Sequence, residues 1–579
     1  MRGCSGLSQG ANIDKMWNRS KQWGRKNWLI LLITVVGFIL RVIGLQFGKP
    51  FRFHPDEIKL VWQAVHLLDY PNWSRETVFL IGVYPPFFTY VLAILFAAYN
   101  VLMLLVGHFP SISALGEIYI LNPFQYHLLG RWISALSGTA TILLVYWAGK
   151  KLYSRTTAII ASAFLAVTFL HVRNSHFGVV DVFLTMLIML SFIFSIKIFH
   201  QGKARNYILA ALFASLAIAT KWNAGLILFI LILAHLFSSA NKEPKTWRWL
   251  FHRHLILAGV VAALVFLIVC PMVWLDFKEF WGGLVGTAEF QKSGSGKLGA
   301  GGNFWSYFTG NHSPGYGFFY DNNFTLAMGA VATILFSLGI LFLLWRHRKE
   351  DVLVLAFPIL MYVVIGQMSY KAMRQLLPVV PFLLLIAAEL LVSVFKARQK
   401  AKYQLIIITL AVGSVVVPQG LKSLRYDIAL NQTDTRILMK DWIESNIAQD
   451  SKIGLEEFGP PLLSSHDLNL QKLIKSPHYR RVYDVYGLVP RMFAHGKQRT
   501  DSHNPVNYII ENRIQYIVLD GFTRSRYTWN WSKKKNPEAV RARAQFYKWV
   551  KENCQLLHQV RPKNNFHISP ELEVYSVVY

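Results

Sequence analysis

Cysteine is nearly absent. Cys4, Cys270 and Cys554 are the whole supply in 579 residues. Three thiols so widely spaced exclude a disulfide framework and a cysteine-based metal cluster. Acid is scarce as well: 31 Asp and Glu stand against 60 Lys and Arg, a formal net charge of +29. No phosphate-cradling loop is present either. The Gly-rich stretch SGSGKLGAGG (293–302) lacks the GxxxxGK[ST] spacing and a preceding strand. It reads as a mobile loop, or as one that orders over a bound substrate. No short-period repeat or low-complexity tract is visible, so the internal symmetry of many secondary transporters is missing. The basic N-terminus runs into an apolar stretch with no small-residue cleavage site, which reads as a retained first helix rather than a signal peptide.

What is plentiful is hydrocarbon. Hydrophobic residues make up 53% of the chain and aromatics 14%, and the mean hydropathy is +0.33. Runs of about 20 apolar residues read as bilayer-spanning helices. They fall at 27–47, 126–149, 157–171, 177–197, 207–221, 224–239, 254–275, 323–345, 351–370, 375–395 and 403–418, with a further run at 86–107. A membrane setting also accounts for the positive charge, because Lys and Arg concentrate in cytoplasmic loops. Nucleic acid is therefore not an expected partner. Basic connections lie at 15–26, 150–155, 197–206, 242–253, 346–350 and 396–402. Placing all six in the cytoplasm makes the first eleven spans alternate without conflict. The run 86–107 breaks that alternation if it crosses. It is expected along the outer interface or re-entering from it; its length favours a true crossing, the sidedness of KKLYSR (150–155) the interface.

The expected fold is an α-helical polytopic membrane protein of about 11 transmembrane helices, with outer juxtamembrane helices and a C-terminal soluble α/β domain. Residues 1–26 form a cytoplasmic segment, 27–419 the membrane domain, and 420–579 the extracytoplasmic domain. Outer loops span 48–125 and 276–322. The spans 157–171 and 207–221 are short for a bilayer, so their ends should extend further. In the tail, TDTRILMKDWIESNIAQ (433–449) has helical spacing, whereas SKIGLEE, IQYIVLD (514–520) and ELEVYSVVY (571–579) read as strands. YTWNWSKKKNPEAVRAR mixes aromatic and basic residues, as a glycan- or phosphate-contacting surface does; a solvated helix start fits it equally.

Charges gather on the outer side, where basic residues should be few. The first apolar run gives way to FRFHPDEIKL (51–60), which presents His54, Asp56 and Glu57. Arg131 opens the next span. Arg173, His176 and Asp181 lie in HVRNSHFGVVD, Lys221 in ATKWN, and Lys371 and Arg374 in SYKAMRQLLP. Each has a plain alternative as a snorkelling cation, a helix-end partner or a solvated loop. Together they describe an interface built for an anion, and phosphate suits guanidinium and ammonium groups. On that side of the membrane a lipid-linked activated group can supply the energy. A sugar on a lipid phosphate leaves behind a stable anion and needs no general acid. One carboxylate must accept the proton of the attacking hydroxyl, and cations must meet the charge growing on the phosphate. That is less machinery than the two carboxylates of a glycoside hydrolase.

The order HPDE, YPPFFTYVLAILF, GRWISALSG, RNSHFGVVD, ATKWNAG and MRQLLPVVPFLLL resembles the multi-pass glycosyltransferases of the C superfamily (GT-C). The branch it is most similar to holds the protein O-mannosyltransferases (glycosyltransferase family 39) and aminoarabinose transferases, over roughly residues 25–400. The resemblance implies a polyprenyl-phosphate-sugar donor, a glycan, lipid or protein acceptor, and a site at the outer face of the cell (inner) membrane, with the N-terminus cytoplasmic. It implies that Asp56 is the catalytic base and that Glu57 completes the acidic pair. Tyr84 opens a juxtamembrane helix, Asp181 matches a second acidic position, and Arg131 and Lys221 match donor-phosphate contacts. His54 is expected to orient the loop; His176, Arg173, Lys371 and Arg374 complete the substrate-binding set. The tail after residue 420 is not the sugar-binding module of the mannosyltransferases, which weakens the case for a protein acceptor. The resemblance fixes no cofactor. A divalent metal at His54 with Asp56 or Glu57 stays open, without a fixed ligand spacing. The competing class is a transporter or lipid flippase, which tends to carry internal repeats and midplane charges.

Overall fold

The computed structural model describes residues 27–69, 85–238, 251–293, 302–310, 323–397, 401–490, 499–528, 533, 536–564, 566 and 568–579. Tyr84, nearly all of the Gly-rich stretch and most of YTWNWSKKK lie outside them. Among the described residues six helices are long and apolar enough to cross a membrane, and seven shorter apolar helices accompany them. The protein is a membrane protein. Val180–Gln201 and the segment Met373–Lys396 are the most enclosed of the long six. Their apolar residues pack into one large core with Phe124–Leu152, Arg155–Val167 and Ala204–Ile218. The outward helix faces show Ile94, Ile268, Leu341, Trp345 and Leu410, an apolar belt that fits lipid rather than water.

The charged residues sort to the two ends of this bundle. At one end Arg346 donates to Asp351 and Glu389, and Glu389 also accepts from the Thr157 hydroxyl at 2.9 Å. Lys151 and Lys197 lie over the Trp147 ring at that same end. The opposite end, called the site end below, carries Asp56, Arg131, Asp181, Lys221 and Arg374. This division follows the sidedness read from the basic loops.

Two helices depart from the simple span pattern. Arg155–Val167 does not lengthen; it stops at Thr168 and restarts as the short helix Phe169–Asn174. The carbonyls freed by that stop have a partner: Arg41 of the first helix, Asn27–Val42, donates to Leu165 O at 3.1 Å and Ala166 O at 3.0 Å. An arginine inside an apolar run is costly unless its N–H groups are used. Arg41 uses more of them on Gly37 O and the His171 ring. Gly138 makes room for it, since a Cβ there would meet Arg41 Nε at 2.8 Å. Phe87–Leu105, the run that broke the alternation, is long enough to cross, at roughly 28 Å. Its partners, however, all lie at the site end. The Phe87 N–H donates to Ala219 O, Phe88 packs on Phe183, Phe96 on Tyr126, and Asn100 accepts from the Tyr126 hydroxyl at 2.8 Å. The helix therefore runs across the site ends of three helices, Phe124–Leu152, Val180–Gln201 and Ala204–Ile218.

The last apolar run lies in the helix Ala401–Leu430, which extends beyond the expected boundary near 420. After it comes Thr435–Asn446, whose N-terminus is capped by the Asp434 carboxylate on the Arg436 N–H. Six strands follow: β1 Lys452–Leu455, β2 Leu463–Ser464, β3 Val482–Gly487, β4 Tyr516–Asp520, β5 Cys554–Val560 and β6 Leu572–Val577. Their order is β2-β3-β1-β4-β6-β5, with the first four parallel and the last two antiparallel. Alternation along the strands feeds two cores. Ile453, Leu455 and Val518 face Met439 and Ile443; Ile517 and Leu519 face Phe546 and Val550 of Pro537–Asn553. A third apolar cluster joins Phe47, Phe53 and Phe177 to Tyr426, Leu430 and Ile568, and so seats this domain on the site end.

Candidate active site

His54 ends an extended segment, and Pro55 starts the helix Pro55–Leu67 with Asp56 and Glu57 in its first turn. Proline suits that position because its missing N–H has no helical partner there. Carboxylates are favoured at a helix N-terminus. Consecutive helical residues point about 100° apart, so the acidic pair is divided by geometry. Glu57 turns inward and is fully buried, whereas the Asp56 side chain is 46% exposed.

Glu57 is locked to Arg131. The guanidinium grips it with Nε to Oε1 and Nη2 to Oε2, both at 2.9 Å, and neither side chain reaches solvent. Glu57 Oε1 also accepts the Gly178 N–H at 2.6 Å. Gly178 is required for that approach, because a Cβ there would lie 3.0 Å from the Gly130 backbone. Arg131 Nη1 donates to Leu45 O and Phe47 O at 2.7 and 2.8 Å. Those carbonyls belong to the turns that end the first apolar run, so Arg131 satisfies groups the helix no longer pairs. Burial raises the Glu57 pKa, but the Arg131 charge and hydrogen bonds outweigh it and leave the group below its usual range. The structure thus places these two candidates in a buried clamp that solvent does not reach.

Asp56 has a different partner. It accepts from Arg374 Nη1, at the start of the turn Met373–Val379. Beside this pair Lys221 Nζ donates to Asp181 Oδ1 at 2.7 Å. The two pairs feel each other: Lys221 acts on Asp56, and Asp181 on Arg374. Burial raises the Asp56 pKa, yet the fields of Arg374, His54 and Lys221 prevail and hold it at about 2. Arg374 and Lys221 remain 23% and 29% exposed, so a ligand can reach both.

The other candidates support this quartet. His54 is buried against the Phe177 ring, and burial lowers its pKa to about 4 despite Glu57 and Asp56 nearby. Arg173 is buried, bonded to Tyr426, and near enough to Arg374 for repulsion. His176 sits between Val172 O and Ile43 O and contacts Asp427 at 3.3 Å. Lys371 donates to Ile365 O and Gly366 O, which closes the end of Lys349–Gln367, and it lies over the Tyr307 ring. Burial lowers its pKa to about 8. Among the described residues no group of three His, Cys, Asp or Glu could hold a metal ion. Arg41, Tyr426 and Asp427 escaped the sequence reading. Arg41 was hidden in an apolar run, and the other two in a helix that lasts longer than its apolar stretch.

The family of dolichyl-phosphate-mannose-protein mannosyltransferases matches residues 127–274. That segment holds Arg131, Arg173, Asp181 and Lys221; the acidic helix precedes it and Arg374 follows it. The apo crystal structure of the Archaeoglobus fulgidus oligosaccharyltransferase is similar at 13% identity, with a TM-score of 0.50 over 88% of this chain and 72% of that one. The protein has the GT-C glycosyltransferase fold. Also similar, at 13% identity and a TM-score of 0.47, is ArnT from Cupriavidus metallidurans bound to undecaprenyl phosphate, covering 95% of this chain and 98% of that one. No curated protein matches the sequence. The family match within a GT-C fold supports a glycosyltransferase.

Proposed function

We propose that this protein transfers a sugar from a polyprenyl-phosphate donor to an acceptor at the outer face of the membrane, with inversion, and that Asp56 is the general base. The observation that carries the proposal is the adjacent ion pairs Asp56–Arg374 and Asp181–Lys221 at one end of the bundle, of which Asp56, Arg374 and Lys221 reach solvent and Asp181 is buried. The matched family is described by a dolichyl-phosphate sugar, which supports a lipid-phosphate donor. The positive-inside pattern supports an outer site and a cytoplasmic N-terminus.

In the resting site Arg374 keeps Asp56 a weak base. A phosphate oxygen competes for the same guanidinium. Donor binding draws Arg374, and with it Lys221, toward the phosphate, and the Asp56 carboxylate then becomes more basic beside the acceptor. The acceptor oxygen attacks the anomeric carbon from the face opposite the phosphate. The bond from that carbon to the phosphate oxygen breaks, its electron pair stays on the lipid phosphate, and the acceptor proton passes to Asp56. Glu57 and Arg131 act as positioning residues: their buried clamp fixes the helix turn that presents Asp56.

Transfer from a synthetic polyprenyl-phosphate sugar, followed with purified protein in detergent, tests this reading. Asp56→Asn should end transfer while the protein stays folded and still binds polyprenyl phosphate. Retained turnover would refute the base assignment. A flippase would move the lipid and leave the sugar bond intact.

A further inference from the structure

The helix that presents Asp56 has a second face that borders a cavity. Pro55, Ile58, Trp62, Val65 and Asp69 recur every three or four residues and line a cavity of about 1260 Å³. Its opposite wall belongs to the C-terminal domain. Glu457, Phe458 and Pro461 follow directly on β1, at the carboxyl end of the parallel strands. The chain crosses from β3, on one side of β1, to β4 on the other. A crevice beyond the carboxyl ends at such a reversal is where open α/β sheets bind ligands. The floor comes from the juxtamembrane segment through Tyr119 and Asn100. Two independent parts of the chain thus converge on one space, and it exceeds the roughly 300–1,000 Å³ that suits a single drug-sized ligand.

The wall chemistry selects the occupant. Aromatic rings are presented from both sides: Trp62 tilted against His66 with ring centroids 3.8 Å apart, Tyr119, Phe458, and Tyr479 edge-on to Phe51. The charges nearly cancel, and most are already coupled. Arg526 pairs with Glu457, Arg436 with Asp434, and Glu456 with Arg543. A polyanion would call for a surplus of cations, and a lipid tail for dry walls. Aromatic faces interleaved with paired carboxylates and guanidinium groups suit pyranose rings, which offer an apolar C–H face and a rim of hydroxyls. We infer that this cavity binds a neutral glycan of more than one sugar, held between the juxtamembrane helices and the C-terminal domain. Its service as the acceptor site rests on the transferase reading; the glycan binding does not.

Full-length protein in detergent, applied to a printed array of neutral, sulfated and sialylated oligosaccharides beside a peptide array, tests the inference. Binding should favour neutral oligosaccharides, and Trp62→Ala and Tyr479→Ala should each weaken it at least tenfold with the thermal midpoint kept. Hydrogen exchange of the unaltered protein with the strongest neutral glycan should slow at 113–121 and 457–462; this readout needs no variant. No neutral binding, a preference for acidic glycans or peptides, unchanged binding in both variants, or protection elsewhere would each overturn it. Asp56→Asn should bind the array like the unaltered protein. An inactive Asp56→Asn with no array binding therefore refutes the cavity alone, and an active one that binds refutes the base alone.

Discussion

Arg131→Met separates two roles for one residue. A donor-phosphate contact, lost, would raise KM for the donor and leave stability nearly untouched. The buried clamp forecasts the reverse. Without Arg131, Glu57 keeps a single hydrogen bond, from the Gly178 N–H, and Leu45 O and Phe47 O lose their partner. Removing one member of a buried ion pair costs about 3–5 kcal/mol. Each buried carbonyl left unpaired adds about 1–3 kcal/mol if water does not reach it. A loss of at least about 3 kcal/mol is expected, more than a hundredfold in the unfolding equilibrium at about 1.4 kcal/mol per factor of ten. The double variant Glu57→Gln/Arg131→Met removes the stranded charge and should recover part of the loss, so a double-mutant cycle should give a coupling of about 1–3 kcal/mol. Denaturant titration of the purified protein in detergent measures all four species. If Arg131→Met unfolds within about 0.5 kcal/mol of the unaltered protein while the donor KM rises, the clamp reasoning is wrong and Arg131 faces the phosphate.

Lys221→Ala should lower kcat by about 10²–10³, the usual effect of losing one charge-stabilising donor, and a rate within threefold of the parent would count against its place in the site. Lys371→Met, by contrast, should lower the thermal midpoint, because Lys371 closes a helix end; a selective rise in donor KM would show that it reaches ligand. The pH profile carries its own sign. The folded pKa of Asp56 lies at about 2, below the ordinary 3.8, so the stability from its pairing is complete above 3.8 and is lost as pH falls through 2. The acid limb of kcat/KM, which reports the free enzyme, should therefore sit well below pH 4, and the limb of kcat higher, once phosphate engages Arg374. Arg374→Gln should move the kcat/KM limb upward; an unmoved limb would mean that Arg374 does not set the basicity of Asp56. Arg41→Leu removes the donor to three carbonyls and the His171 ring, and should destabilise by about 3 kcal/mol or more; an unchanged denaturation midpoint would refute that.

Much of the architecture was legible because a bilayer imposes a one-dimensional rule. Apolar runs had to become helices, and charge had to collect at their ends. The tail helix at 433–449 and the strands in SKIGLEE, IQYIVLD and ELEVYSVVY reappear as Thr435–Asn446, β1, β4 and β6. β2, β3 and β5 were not anticipated. β2 is only two residues long, and β5 is largely exposed, so neither carries a strong alternating pattern. The short span 157–171 did not lengthen, because Arg41, far away in sequence, satisfies its freed carbonyls.

The sequence by itself determined the setting and the cast: apolar spans, charge confined to their ends, and a set of carboxylates and cations of the kind that bind anions. Composition and spacing are enough for that, since hydration cost alone segregates charge from lipid. Only the tertiary structure decided which charges reach solvent. Neighbours at positions 56 and 57 point about 100° apart, and that rotation puts one carboxylate in a dry clamp and leaves the other at the surface beside Arg374.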